Sequence, residues 1–169
     1  MPTPPGVTWV DDLRLGHYRS PKAGAYVGDT ASVSEENVAI VRRSIDAYNR
    51  RDFEAVRAIN HPDVEVDWSA SRGLEAGVYR GWEEVMSFYR RFLDVFEVTI
   101  EPERFIEAGD SVVVPNTSHN RGRDGIKTIA RSALVFEVRG ARIARMCLFQ
   151  ETREALESVG LSPPHHQPD

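Results

Sequence analysis

The sequence predicts an α+β fold in which three N-terminal helices pack on a curved antiparallel sheet. Three observations predict it. Apolar residues recur at helical spacing in segments between residues 34 and 96. From about residue 98 to 150 the pattern changes to short alternating runs separated by turn residues. Helices and strands are segregated along the chain, apart from one strand between the second and third helices, which is an α+β pattern rather than a βαβ one. A curved sheet can close over such helices and leave a cavity at its open end, the default place for a ligand.

The first helix begins at Ser34, an N-cap residue, with Glu35 and Glu36 facing the positive end of the helix dipole. Val38, Val41, Ile45 and Tyr48 then fall on one face. Asp52 caps a short second helix from Phe53 to about Ile59, and Pro62 keeps it from running through His61. Val64, Val66 and Trp68 alternate with Asp63, Glu65 and Asp67, as in a strand with one wet face. SASRGLEAGVYRG is a loop punctuated by Gly73, Gly77 and Gly81. The third helix starts near Trp82 and carries the strongest apolar stripe: Val85, Phe88, Tyr89, Phe92 and Phe96.

Strand-like patterns follow. Val98 and Ile100 alternate with charges, Phe105 and Ile106 precede an Ala-Gly-Asp turn, and Val112, Val113 and Val114 open another strand. RGRDG at 121–125 is a hairpin loop. Residues 126–138 and 142–150 form two strands joined at Arg139-Gly140-Ala141. A short helix at about 152–158 ends at Gly160, a natural C-cap. The expected organisation is an N-terminal arm or extension over 1–33, a domain over 34–160 and a disordered tail over 161–169. The arm is rich in Pro and Gly yet carries Trp9, Leu13, Leu15, Tyr18 and Tyr26. It is either a mobile extension or an arm packed on its own domain or on a second subunit.

The chain of 169 residues has room for one domain with a real core. Its formal charge of −5 argues against a nucleic-acid binder, whose affinity would come from a basic face. The single cysteine, Cys147, excludes an internal disulfide and a multi-cysteine zinc site and suits a reducing cytoplasm. No apolar run approaches membrane-spanning length, and the N-terminus lacks a signal-peptide pattern. Five scattered histidines without carboxylates at ligand spacing make no metal site. No cofactor is expected.

AYNRRDFEAVRAINHPDVEVDW, GVYRGWEEVMSFY, FIEAGDSVVV and FEVRGARIARMCLFQE together resemble the NTF2-like superfamily, and within it the SnoaL-like branch, over roughly residues 34–160. The resemblance implies a cone-shaped α+β roll, a pocket between the helices and the concave face of the sheet, and commonly a homodimer through the sheet. It does not imply one activity, because the superfamily hosts cyclases, isomerases, epoxide hydrolases, dehydratases and members without catalysis.

Isomerase-like chemistry needs a carboxylate base and an oxyanion hole. Measured from Asn49-x-x-Asp52, the family's helix tyrosine falls at Ser44 and its base at Trp68, with Asp67 one residue away. Its acid, counted back from Gly140, falls at Ser132. A supporting tyrosine matches at Tyr89. The carboxylate pair of the epoxide hydrolases has no counterpart here, and Leu134 stands where many cyclases carry His.

The remaining catalytic candidates are Asp67 or His119 as acid/base, with Tyr89 polarising a carbonyl. Tyr48, Trp68, Trp82, Asn116, Ser132, Arg145, Cys147 and Phe149 are the ligand-binding candidates. Each has a plainer reading: Tyr48 and Tyr89 as core aromatics, Asp67 as a solvated carboxylate, Trp82 as a packing anchor, and Cys147 as a small buried residue. If alternation is strict, only one of Asp67 and Trp68 faces inward, and Asn116 and His119 also have opposite parity. By resemblance, the parity of Arg145, Cys147 and Phe149 faces the cavity. An inward Arg145 would need a carboxylate or an anionic ligand.

Two functions are expected from this pattern. One is a cofactor-free isomerase/cyclase-type enzyme that moves a proton on an apolar carbonyl-bearing substrate. The other is a non-catalytic ligand-binding or dimerisation module. The expected partners are a small apolar molecule and a second copy of the chain, in the cytoplasm, with neither nucleic acid nor membrane.

Overall fold

A computed structural model describes residues 33–73 and 75–163. The expected arm lies outside the described residues except for Val33, and of the expected tail only 161–163 are described. The elements are α1 (Val33–Asn49), α2 (Phe53–Ile59), β1 (Asn60–Asp67), β2 (Val78–Arg80), α3 (Trp82–Val95), β3 (Phe96–Pro102), β4 (Ile106–Ala108), β5 (Ser111–Gly122), β6 (Lys127–Arg139), β7 (Arg142–Phe149) and α4 (Thr152–Ser158).

The helix boundaries follow local chemistry. Asp52 Oδ1 accepts from Ala55 N at 3.1 Å and caps α2. Asn49 does a different job three residues earlier. Its Nδ2 donates to Ile100 O at 2.8 Å and its Oδ1 accepts from Ile100 N at 2.9 Å. The side chain thus pairs with the free edge of β3 as another strand would.

The seven strands form one sheet in the order β2-β1-β7-β6-β5-β3, with β4 paired to β5. All pairings are antiparallel except β1 with β7, which is parallel. Two features were not expected from the sequence. The loop after Trp68 contains the short strand β2, and the sheet is mixed. Gly140 and Ala141 both have positive φ, 56° and 59°, which gives the β6–β7 hairpin a turn matched to strand twist. Register irregularities in β1 and at Glu137/Val138 help the sheet bend.

Two apolar layers result. The larger packs α1, α2 and α3 on the concave face, with Val41, Val56, Val85 and Phe88 against Val112, Val114, Leu134 and Phe136. The smaller lies on the convex face under α4, where Ala155 and Leu156 meet Ile106, Val113, Val135 and Cys147. No helix among the described residues is long and apolar enough to cross a membrane.

Candidate functional site

The concave face and the helices enclose a two-part cavity. The inner part, about 40 Å³, is bounded by Ser44, Ile45, Tyr48 and Val56 from α1 and α2, and by Phe88, Tyr89 and Phe92 from α3. Trp68, Ile100, Leu134, Phe136 and Met146 close it from the sheet side. Since one water needs roughly 10–15 Å³ by this measure, the inner part takes a few atoms and no more.

Tyr48, Trp68, Phe92, Ile100 and Leu134 also border the outer part, an open chamber of about 620 Å³. Its wall on β5 and β6 is mostly polar: Asn116, Ser118 and Asn120 face Ser132, Ala130 and Thr128 across the ladder, and Arg131 of β6 also borders the chamber. Gln150 and the loop residues Ser71, Arg72 and Gly73 complete the mouth. Gln150 Nε2 donates to Ala70 O at 2.8 Å and so ties that loop to the end of the sheet.

The polar groups at the inner end are neutral donors. Trp68 Nε1 is buried and has no hydrogen-bond partner among the described residues. Rings surround it: Phe88 at 5.7 Å and Phe92 at 6.0 Å between centroids. Tyr48 and Tyr89 meet edge to face at 5.4 Å. Burial pushes the Tyr48 hydroxyl up to about 12, although Arg51 nearby acts against this. Burial, and then the nearness of Tyr48, also pushes Tyr89 up. Both phenols are therefore protonated at neutral pH, and each can donate or accept a hydrogen bond but cannot act as an anionic base. Among the described residues, no carboxylate borders either part of the cavity.

The proposed acid/base residues lie on the other face. The β1–β7 register pairs Glu65 with Arg145 and Asp67 with Cys147, and all four side chains share the convex face. Arg145 Nε donates to Glu65 Oε1 at 2.9 Å, its Nη2 to Asp67 Oδ2 at 3.0 Å, and its Nη1 lies 3.6 Å from Glu137 Oε1. Burial alone would raise Asp67, but the hydroxyl and backbone N–H of Ser69, with Arg145, outweigh that and hold its carboxyl below the usual value. An acid held ionised in this way is a poor proton donor and a weak base.

The expected inward parity of Arg145, Cys147 and Phe149 is thus reversed. Trp68 and Met146 face the cavity, so their neighbours Asp67, Arg145 and Cys147 face away. Cys147 is buried and its thiol is pushed up to about 11, first by desolvation and then by Asp67. Phe149 packs against the smaller apolar layer.

His119 is also outside the cavity. It pairs with Thr99 and Ile129 on the face opposite Ser118, and its Nε2 lies 2.8 Å from Glu101 Oε2. Asn116 has the inward parity instead. It is 2 % exposed, donates to Val114 O at 3.1 Å and accepts from Ser132 Oγ at 3.3 Å. Trp82 packs at the edge of the larger apolar layer and borders neither part of the cavity.

The family spacing located the cavity better than it located the chemistry. Ser44, Trp68 and Ser132, the three positions it marked, all border the cavity. Sequence reasoning did not single out Phe88, Phe92, Ile100 or Met146 as cavity walls, though the first two lie on the α3 stripe. Ser118 and Asn120 share the parity of Asn116 and could have been found from it. Arg72 had no sequence signal. Among the described residues no group of three His, Cys, Asp or Glu side chains is placed to hold a metal ion.

The sequence model of the SnoaL-like domain matches residues 41–146. No curated protein matches the chain. Many solved structures share the fold. An NTF2-like protein of unknown function from Burkholderia pseudomallei is 27 % identical, with a TM-score of 0.63, over 73 % of this chain and 97 % of its own. TerC, crystallised with polyporic acid, is 23 % identical with a TM-score of 0.63, over 74 % of this chain and 98 % of its own. A Mycobacterium tuberculosis protein in complex with estradiol-17β-hemisuccinate is 16 % identical with a TM-score of 0.61, over 69 % of this chain and 94 % of its own.

Proposed function

The chain belongs to the SnoaL-like domain family, and from that premise we propose that it is a binding protein for a small, flat, largely apolar molecule carrying a carbonyl or similar acceptor oxygen. The observation that carries this reading is an aromatic cavity bordered by Trp68, whose buried Nε1 has no partner among the described residues, and by two protonated phenols, Tyr48 and Tyr89. A buried donor left without a partner costs about 1–3 kcal/mol, and an acceptor oxygen placed there recovers much of it. The outer chamber falls within the usual size range for small-molecule sites. Two proteins of the same fold were crystallised with polyporic acid and with estradiol-17β-hemisuccinate, which supports a small organic ligand.

The catalytic alternative requires a base within reach of the ligand. Asp67 and His119 are both on the convex face, so the binding reading is favoured over proton-transfer catalysis. The test uses 2-acetylnaphthalene as the probe. Binding measured by calorimetry is expected, weakened about tenfold by Trp68→Phe, the cost of one hydrogen bond of about 1.4 kcal/mol. Exchange of the acetyl methyl protons for deuterium is expected to proceed at the buffer rate. No binding at millimolar probe, or no effect of Trp68→Phe, would sink the reading. Exchange accelerated by the protein would restore the enzyme.

We also propose a homodimer through the convex face of β5 and β6. Ile129 there is 69 % exposed and Ile126 in the adjoining loop 63 %. A large apolar side chain exposed on the outer face of a sheet is available to a partner surface. Light scattering at about 100 µM protein is expected to give a dimer for the native chain and a monomer for Ile129→Lys. A native monomer at that concentration would exclude the dimer.

A further inference from the structure

We propose that the ligand carries an anionic group, a carboxylate or its equivalent, and that Arg72 at the mouth of the outer chamber reads it. This deepens the binding reading above and rests on it. The inner end takes only a few atoms, so most of a ligand must lie in the outer chamber, with its far end at the mouth. The inward-facing side chains of the strand walls there offer hydroxyls and amides. Among the described residues, the two charged ones that border the chamber are both arginines, and no carboxylate does.

The two arginines are not equivalent. Arg131 sits between the inward-facing Ala130 and Ser132, opposite Thr117, so strand alternation sends its side chain to the convex face. Arg72 lies on the loop that crosses the mouth. No ion pair or hydrogen bond of its side chain is found among the described residues, whereas Arg91, Arg145 and Arg153 are each held by a carboxylate.

The loop around it is anchored at both ends. Gln150 holds Ala70, while Glu75 takes a hydrogen bond from Arg91 at 2.9 Å and its carbonyl takes one from the Tyr79 hydroxyl at 2.7 Å. A guanidinium held near a chamber with no carboxylate attracts an anion and repels a cation. The implied ligand has a carbonyl at one end of a flat apolar body and a negative charge at the other.

The test compares two probes of nearly the same shape, 6-acetyl-2-naphthoate and 6-acetyl-2-naphthamide, with the native chain, Arg72→Gln and Arg72→Lys. Dissociation constants are measured calorimetrically at low salt and in 0.5 M NaCl. The native chain is expected to bind the carboxylate about fivefold more tightly than the amide at low salt, the size of one exposed charge pair. That ratio is expected to fall to about one in Arg72→Gln, to persist in Arg72→Lys, and to shrink with salt as a screened interaction must. Equal binding of both probes by the native chain overturns the proposal but leaves the binding reading standing. A preference that survives in Arg72→Gln also overturns it, because the charge would then be read elsewhere. If neither probe binds, the binding reading fails and this inference with it.

Discussion

Phe88→Ala is expected to lower the stability of the domain by about 3–5 kcal/mol, the usual range for emptying a large aromatic site in a core. Phe88 is 1 % exposed and lies where the helices meet the sheet. Tyr79 stacks on it at 4.4 Å with an interplanar angle of 14°, and Tyr89, Trp68 and Phe92 contact it at 5.4, 5.7 and 5.8 Å between centroids. Truncation removes the burial of the ring and these four ring contacts together. These rings come from α3, from β2 and from the residue that follows β1, and they cannot all move inward, so a void remains. Urea unfolding should show a lower midpoint with the slope unchanged. A loss under about 1 kcal/mol would mean that the aromatic cluster collapses into the space, against the rigidity assumed for the cavity wall.

Asn49→Ala is expected to cost about 2–3 kcal/mol, from two hydrogen bonds lost and two backbone groups of Ile100 left without their partner. β3 is the edge of the sheet, so no further strand can replace the side chain. Arg51 adds a second tie at the same corner, donating to Val98 O at 2.6 Å and to Tyr48 O at 3.0 Å. Ile100 and Val98 border the outer chamber, so the same corner that joins α1 to the sheet also sets its wall. Asn49→Asp keeps the acceptor and loses the donor, and its stability should fall between the two. Hydrogen exchange at the Ile100 amide should accelerate in both variants. Unchanged exchange there would refute the bridging role, whatever happened to global stability.

The element order was legible in the sequence because periodicity is local. The α3 stripe from Val85 to Phe92 needs no partner to be recognised, and α2 was bounded by Asp52 and Pro62 alone. The Asn-x-x-Asp spacing marked the turn between α1 and α2. What each residue does there was not legible, since Asp52 caps a helix seven residues long while Asn49 pairs with a strand about fifty positions away. The same limit applies to the cavity. Ser44, Trp68 and Ser132 were found by counting, while Ser71, Arg72 and Gln150 enter from segments without periodicity.

Asp67 and Arg145 mark where sequence reading stops. Both are chemically apt for a polar site, and alternation permits only one of Asp67 and Trp68 to face inward. Alternation states that neighbours point to opposite faces and does not say which face is concave. That choice is made by the parallel register of β1 on β7, which places Asp67 beside Cys147 and Glu65 beside Arg145. Turning Asp67 and Arg145 inward would also turn Trp68 and Met146 outward and leave an ion cluster against the aromatic core, at a desolvation cost the fold avoids. The sequence by itself determined the helices, every strand but β2, their order and the family, because these depend on patterns within single segments. Only the tertiary structure decided which faces enclose the cavity, because that depends on how distant strands pair and where charge can reach water.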